Sequence, residues 1–269
     1  MEPTYEEQFT AFIDFLGFSE TSINTDDATR LKVLDLLLSL TLLRGEFDIK
    51  STAQETGTTH SIKPAISTFS DHIVISYPLK AIQTGMVSDE RTTGSVIILQ
   101  FQRLLASIAA AALRIGFLVR GGATIGKLYH ARGVVFGEAM VDAFQLESRT
   151  AIYPRVVLST SITRRWDWMD NQFGVIKDND GVYHVDYFTT LLLGSAPPGR
   201  EYLESMKAFF GAVIETVARN LKELEERDKL NELAKWAWFA HQLRSGLERL
   251  SPQFREAFGL SLDVIPWPK

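Results

Sequence analysis

Two aspartates sit inside apolar runs, where a charged group needs compensation: Asp14 within Ala-Phe-Ile-Asp-Phe-Leu-Gly-Phe (11–18) and Asp71 within Thr-Phe-Ser-Asp-His-Ile-Val-Ile-Ser (68–76). A buried, unpaired carboxylate costs on the order of several kcal/mol or takes up a proton instead. Each reads as a carboxylate that a strand delivers to an edge. Alone, such an aspartate caps a turn or pairs with arginine. Two together suit Mg²⁺ or Mn²⁺, hard cations that take oxygen ligands and bridge to substrate phosphates. In a two-metal site one ion lowers the pKa of an attacking hydroxyl and the other stabilises the leaving oxygens. His60, His72, His130, His184 and His241 show no ligand spacing. His72, next to Asp71, is expected on the opposite face of its strand.

The elements that position these groups must come from a chain of 269 residues, 45% hydrophobic, which is enough to bury a sizeable core. Its 28 basic and 33 acidic residues give −5 without a basic block, so nothing marks a duplex nucleic acid or an anionic membrane as partner. An anionic small ligand then requires local positive charge or metal. The absence of cysteine excludes disulfides and thiol chemistry and fits a reducing cytosol. The N-terminus lacks the basic and apolar regions of a signal peptide, and the longest apolar stretch, Leu104 to Val119, is broken by Arg114 and Gly116. The expectation is a cytoplasmic protein that contacts neither membrane nor nucleic acid.

The first apolar run predicts a strand ending at Gly17, then a loop to Asp27. Asp26 and Asp27 suit a helix first turn, and Leu31 to Leu43, apolar on most faces, predicts a deeply buried helix. Residues 46–61 are polar and turn-rich; 62–69 and 73–77 predict a hairpin with Asp71 at its tip. A helix over 93–115 stops at Gly116, and strands follow at 117–129 and 133–136. A helix over 138–148, a strand at 155–159 and another at 182–188 complete a mixed sheet with helices on one face. Ala196-Pro197-Pro198-Gly199 reads as a linker, and helices over 200–226 and 228–250 form a C-terminal extension. Trp236, Trp238 and Phe239 there suit packing, and the mixed-sign run Lys222 to Lys229 suits a solvated face. Arg164-Arg165 with Trp166 and Trp168 suggests a solvated turn over core tryptophans rather than base stacking.

The pattern Phe12-x-Asp14-x-Leu16-Gly17-Phe18, with Ser70-Asp71 where Gly-Asp is usual, resembles the class III nucleotidyl cyclases over about residues 10–190. Arg-Gly-Gly-Ala-Thr-Ile-Gly (120–126) resembles that family's glycine-punctuated strand, and Phe136-Gly137 opens the helix that usually carries a transition-state Asn and Arg. Those two fall here at Val141 and Gln145, and the purine-selecting residue falls at Ser67. The run from Arg120-Gly121-Gly122 through Val135-Phe136-Gly137 and Ala143-Phe144-Gln145-Leu146-Glu147 to Tyr153-Pro154-Arg155-Val156-Val157 resembles the Pycsar pyrimidine cyclases of bacterial anti-phage defence.

The resemblance implies an α/β (α+β) fold, a cyclase-like mixed sheet with helices packed on it over residues 1–195, and a helical extension over 196–269. It implies two Mn²⁺ or Mg²⁺ ions on Asp14, Asp71 and the Phe15 carbonyl, with Gly17, Phe18, Ser67 and Ser70 lining the nucleotide site. The substrate implied is UTP or CTP, cyclised to cyclic UMP or cyclic CMP. It further implies a homodimer with sites at the interface and a separate effector activated by the cyclic nucleotide. Arg120 and Arg155 are the cations placed to reach phosphate, with Lys127 a third, and ordinary ion pairing is the alternative for each. Two other functions stay open: a purine cyclase with a rearranged site, and a catalytically silent nucleotide-sensing or dimerisation module.

Overall fold

In the computed structural model the described residues are 4–18, 27–42, 47–52, 59–85, 89–169, 174–193, 200–259 and 261–266. The linker expected at 196–199 lies outside them, as do Asp26 and Leu43 at the ends of the first predicted helix. Among these residues the chain runs β1 (Glu6–Leu16), α1 (Asp27–Leu42), β2 (Ile49–Thr52), β3 (Thr59–Ile62), β4 (Ala65–Phe69), β5 (His72–Pro78), α2 (Leu79–Gly85) and α3 (Glu90–Leu113). There follow β6 (Leu118–Ala131), β7 (Val134–Phe136), α4 (Glu138–Arg149), β8 (Val156–Leu158), α5 (Thr160–Arg165), β9 (Val175–Lys177), β10 (Tyr183–Val185) and α6 (Tyr187–Leu193). The C-terminal part is helical: α7 (Arg200–Glu226), α8 (Leu230–Arg249) and α9 (Pro252–Phe258).

The main sheet is α+β in character, ordered β4-β5-β1-β6-β8-β10-β9 with β7 paired to β6. Its direction is mixed, as expected, because β6 and β8 are parallel while β1 pairs antiparallel with both β5 and β6. β1 is therefore central, and its residues alternate between two packed faces. Phe9, Ala11, Ile13 and Phe15 join the large core with Ile97, Phe101 and Leu105 of α3, whereas Phe12 joins Val74 and Ala143 of α4. Helices thus cover both faces rather than one, because both sides of β1 are apolar and each needs a partner. Glu90–Leu113 is, among the described residues, the one helix long and apolar enough to cross a membrane. Here it is a core helix, with Ile97, Ile98, Phe101, Leu104 and Ile108 buried. The C-terminal helices add Phe210, Val217, Phe239 and Leu243 to the same core.

Three further expectations are corrected. α1 is not deeply buried: Val33 and Leu36 are covered, but Leu31, Leu34 and Leu38 are 64%, 50% and 55% exposed. Its residues are apolar on most sides, yet the fold covers only one. The stretch read as a strand to Phe188 leaves the sheet after Val185, where the Asp186 carboxylate accepts from Thr189 N–H at 3.2 Å and Thr189 Oγ1 at 2.8 Å and starts α6. The region read only as turn-rich forms the β2–β3 hairpin. The Arg164–Trp168 segment is a solvated turn over core tryptophans only in part: Arg164 and Arg165 end helix α5, Trp166 is buried with its Nε1 donating to Glu90 at 2.8 Å, Trp168 is half-buried, and Arg165 Nε donates to the same carboxylate at 2.6 Å.

Candidate functional site

The register of β1 assembles the site. Asp14 lies opposite His72 of β5 on one side and opposite Arg120 of β6 on the other. Directly paired residues of antiparallel strands share a face, so the three side chains meet. Asp71 joins them from the β4–β5 turn, where Ser70 takes φ +54°. That left-handed conformation suits Gly best, and Ser adopts it here so that the tight turn can close. Phe15 N–H donates to the Asp71 carbonyl at 3.3 Å and ties the turn to β1.

His72 contradicts the expectation that it faces away. Its Nδ1 stands 3.0 Å from Asp71 Oδ1 and its Nε2 3.7 Å from Asp14 Oδ1. Strand alternation does not separate Asp71 from His72, because Asp71 belongs to the turn and only His72 to the strand.

Arg120 Nε donates to Asp14 Oδ2 at 2.9 Å, and its Nη2 lies 2.6 Å from Glu147 Oε1, off the line of a good hydrogen bond, so this second contact is an ion pair. Arg120 Nη1 reaches the Ala151 carbonyl at 3.5 Å. Glu147, unassigned from the sequence, is almost fully buried on α4. Burial raises its pKa and neighbouring Asp14 pushes the same way, while Arg120 and His72 oppose them. The signal was present: Ala139, Ala143 and Glu147 form the buried stripe of α4, so the carboxylate continues a row of small apolar positions. α4 sits close enough for this because position 122 is glycine; a Cβ there would lie 2.4 Å from the Ala143 carbonyl oxygen and 2.8 Å from Glu147 N.

Three carboxylates therefore share one guanidinium and one imidazole, an excess of negative charge that suits a cation. Ligand atoms of Asp14, Asp71 and His72 all lie within 4.8 Å of one another. An octahedral cation with bonds of about 2.1 Å holds its ligand atoms within about 4.2 Å, so modest side-chain movement closes the set. The donors present fit Mg²⁺ or Mn²⁺.

The remaining predicted residues are dispersed. Gly17 takes φ +96° as β1 ends, and the Phe18 ring packs 6.1 Å from Phe117. Ser67 is on β4, its Oγ 2.9 Å from His130 Nε2, whose Nδ1 is 2.9 Å from Ser76 Oγ. Ser67 and His130 line a cavity of about 590 Å³ with Phe69, Arg132, Val135 and Met140. Lys127 is exposed. Arg155, expected as a phosphate cation, is 2% exposed and paired with Asp178 at 2.7 Å and with Asp180. It is committed to those carboxylates and is not among the groups gathered at Asp14. Val141 and Gln145 lie on the exposed side of α4, with Phe144 beside them.

No family model matches the chain, and no curated protein matches it. Among solved structures, a bacterial light-regulated adenylyl cyclase aligns with 79% of this chain and 59% of its own, at 13% identity and a TM-score of 0.39. This chain therefore spans about three fifths of that protein's length. The guanylate cyclase domain of RhGC from Catenaria anguillulae, solved with GTP, aligns with 67% of this chain and 96% of its own, at 13% identity and a TM-score of 0.38. A class III adenylyl cyclase-like ATP-binding protein from Pseudomonas aeruginosa aligns with 60% of this chain and 34% of its own, at 11% identity and a TM-score of 0.36. Likenesses this distant leave function to the chain's own residues.

Proposed function

We propose that the protein is a metal-dependent nucleotidyl cyclase that converts UTP or CTP to the cyclic monophosphate and pyrophosphate, as a second messenger in anti-phage defence. The observation that carries this reading is the convergence of Asp14 and Asp71 from neighbouring elements of the central sheet, with Arg120 on Asp14. Mn²⁺ or Mg²⁺ bound there would lower the pKa of the ribose 3′-hydroxyl and offset charge on the leaving pyrophosphate. Asp14 and Asp71 would hold the cations, with the Phe15 carbonyl as a further oxygen. Arg120, a planar fork that bridges two carboxylates, would orient phosphate beside them. The 3′-oxygen bonds to the α-phosphorus as the bond to the bridging oxygen of pyrophosphate breaks.

A homodimer with sites at the interface fits the exposed apolar residues Val141, Phe144, Phe136 and Phe69. Of these, Phe69 and Phe144 pack against Phe12, two residues from Asp14, and exposed apolar side chains beside a charged cluster favour a partner over water. The cyclic nucleotide would then act on a separate effector. A silent nucleotide-binding module is a second reading, favoured by Val141 and Gln145 at the exposed face of α4 and by an Arg120 already engaged by Asp14 and Glu147.

Incubation with ATP, GTP, CTP or UTP in Mn²⁺, followed by mass spectrometry, separates the readings. Cyclic UMP or cyclic CMP is expected. A cyclic purine product replaces the pyrimidine assignment, and no product from any of the four favours the silent module.

A further inference from the structure

We propose that His72 is a third protein ligand of the cation held by Asp14 and Asp71, so that the site combines nitrogen with oxygen donors. The inference rests on the metal reading above and extends it to a residue whose type and spacing in the sequence did not suggest a ligand. Its basis is positional. His72 is the cross-strand partner of Asp14, so the imidazole is held next to that carboxylate by backbone pairing. The ring is clamped on two sides, stacked on Phe69 at 5.4 Å and 19° and lying 4.9 Å from Phe12. A ligand so packed enters the site with its orientation set before any cation arrives.

The two ring nitrogens have different neighbours. Nδ1 faces Asp71 Oδ1 at 3.0 Å, and Nε2 faces Asp14 Oδ1 at 3.7 Å. Each ring nitrogen thus has a carboxylate oxygen of one of the two proposed ligands beside it, and a cation shared with both aspartates is within reach of the ring. Asp14 divides its oxygens correspondingly, Oδ2 to Arg120 and Oδ1 toward His72. A cation at Oδ1 can therefore bind while Arg120 stays in place. Imidazole favours Mn²⁺, Co²⁺ and Zn²⁺ over Mg²⁺, which prefers oxygen and retains water. The structure thus assigns to His72 a selectivity for transition-metal ions that two aspartates alone would not give.

Electron spin-echo envelope modulation on Mn²⁺ bound to the protein, without nucleotide, reads the nitrogen directly. The expected result is a nitrogen coupling in wild type that His72→Gln loses, with the Mn²⁺ Kd raised about 10- to 100-fold. Mg²⁺ affinity, measured by competition, is expected to change by less than about 3-fold. If Mn²⁺ binds, and Asp14→Asn abolishes binding, but no nitrogen coupling appears, His72 is not a ligand while the aspartate site stands. If Asp14→Asn leaves Mn²⁺ binding unchanged, both proposals fall. A nitrogen coupling lost in His72→Gln, in a protein that cyclises none of the four triphosphates, upholds the ligand and removes the cyclase reading. The wild-type spectrum answers the question even if His72→Gln folds poorly.

Discussion

Two arginines, Arg120 on β6 and Arg155 just before the neighbouring β8, are each held by two carboxylates, with opposite distributions of burial. At Arg120 the acids are inside, Asp14 and Glu147 with side chains 10% and 3% exposed, while the arginine side chain keeps 24% of its surface. At Arg155 the base is inside, 2% exposed, and its partners Asp178 and Asp180 reach water at 16% and 46%. The second arrangement keeps its surplus negative charge where water screens it: the buried cation, its Nε without a hydrogen-bond partner, has a short carboxylate contact to either side and is flanked by Tyr153 and Trp238 at 5.8 and 5.9 Å. The first does not. Adding Asp71 leaves its negative charge in excess and half-shielded from solvent, which costs stability unless something positive binds. On the proposed function, that difference would separate a site from a strut.

Substitutions that test this contrast should divide activity from stability. The largest effect is expected from Asp14→Ala and Asp71→Ala. Each should cut pyrophosphate release at least about a thousand-fold, because metal-borne charge stabilisation is worth several kcal/mol and each tenfold is about 1.4 kcal/mol. Circular dichroism and melting should show an intact fold. Arg155→Ala should do the reverse, lowering unfolding free energy in urea by an amount near the lower end of the roughly 3–5 kcal/mol seen when buried pairs are broken, since its acids can be resolvated. Arg120→Ala is expected to lower turnover about 100-fold, as when one transition-state donor is removed, and to lower the melting temperature by less than Arg155→Ala does. Equal melting losses for the two arginines would collapse the distinction.

Gly122→Ala probes the link between fold and site. The added methyl forces α4 and its Glu147 away from β6, and a loss of about 1–3 kcal/mol by urea unfolding is expected, as for overpacked cores. The smallest effect concerns pH. Burial lowers the pKa of His184 below its usual 6.5, with the Val185 carbonyl and Asp178 pulling the other way. In acid the unfolded chain then binds a proton that the folded one resists, so stability is whole above pH 6.5 and falls as pH drops below it. His184→Gln should flatten that part of the melting-temperature profile, and an unchanged slope would exclude His184 as its source.

Part of the candidate site is legible because charge inside an apolar run is conspicuous. Asp14 and Asp71 carry that signal; strand pairing sets Arg120 and His72 beside Asp14, and the β4–β5 turn brings in Asp71. His72 was misread because a period of two assumes one continuous strand, whereas the turn at Ser70-Asp71 restarts the alternation. Glu147 is the last member of the Ala139, Ala143 stripe, whereas the positions matching the family's Asn and Arg, Val141 and Gln145, lie on the exposed side of the helix. The pairing of Arg155 with Asp178 and Asp180 depends on the β9–β10 hairpin folding back on β8, which no local pattern reports. Hydropathy likewise marks α1 as apolar without telling which of its sides the sheet and α3 leave uncovered.

The central claim is tested most directly by following pyrophosphate release and cyclic product from UTP and CTP in Mn²⁺, with wild type and Asp14→Asn side by side. Cyclic UMP or cyclic CMP made by the wild type and lost in Asp14→Asn is the predicted result. Turnover that survives the loss of Asp14, or the absence of any cyclic product from the wild type, would contradict it.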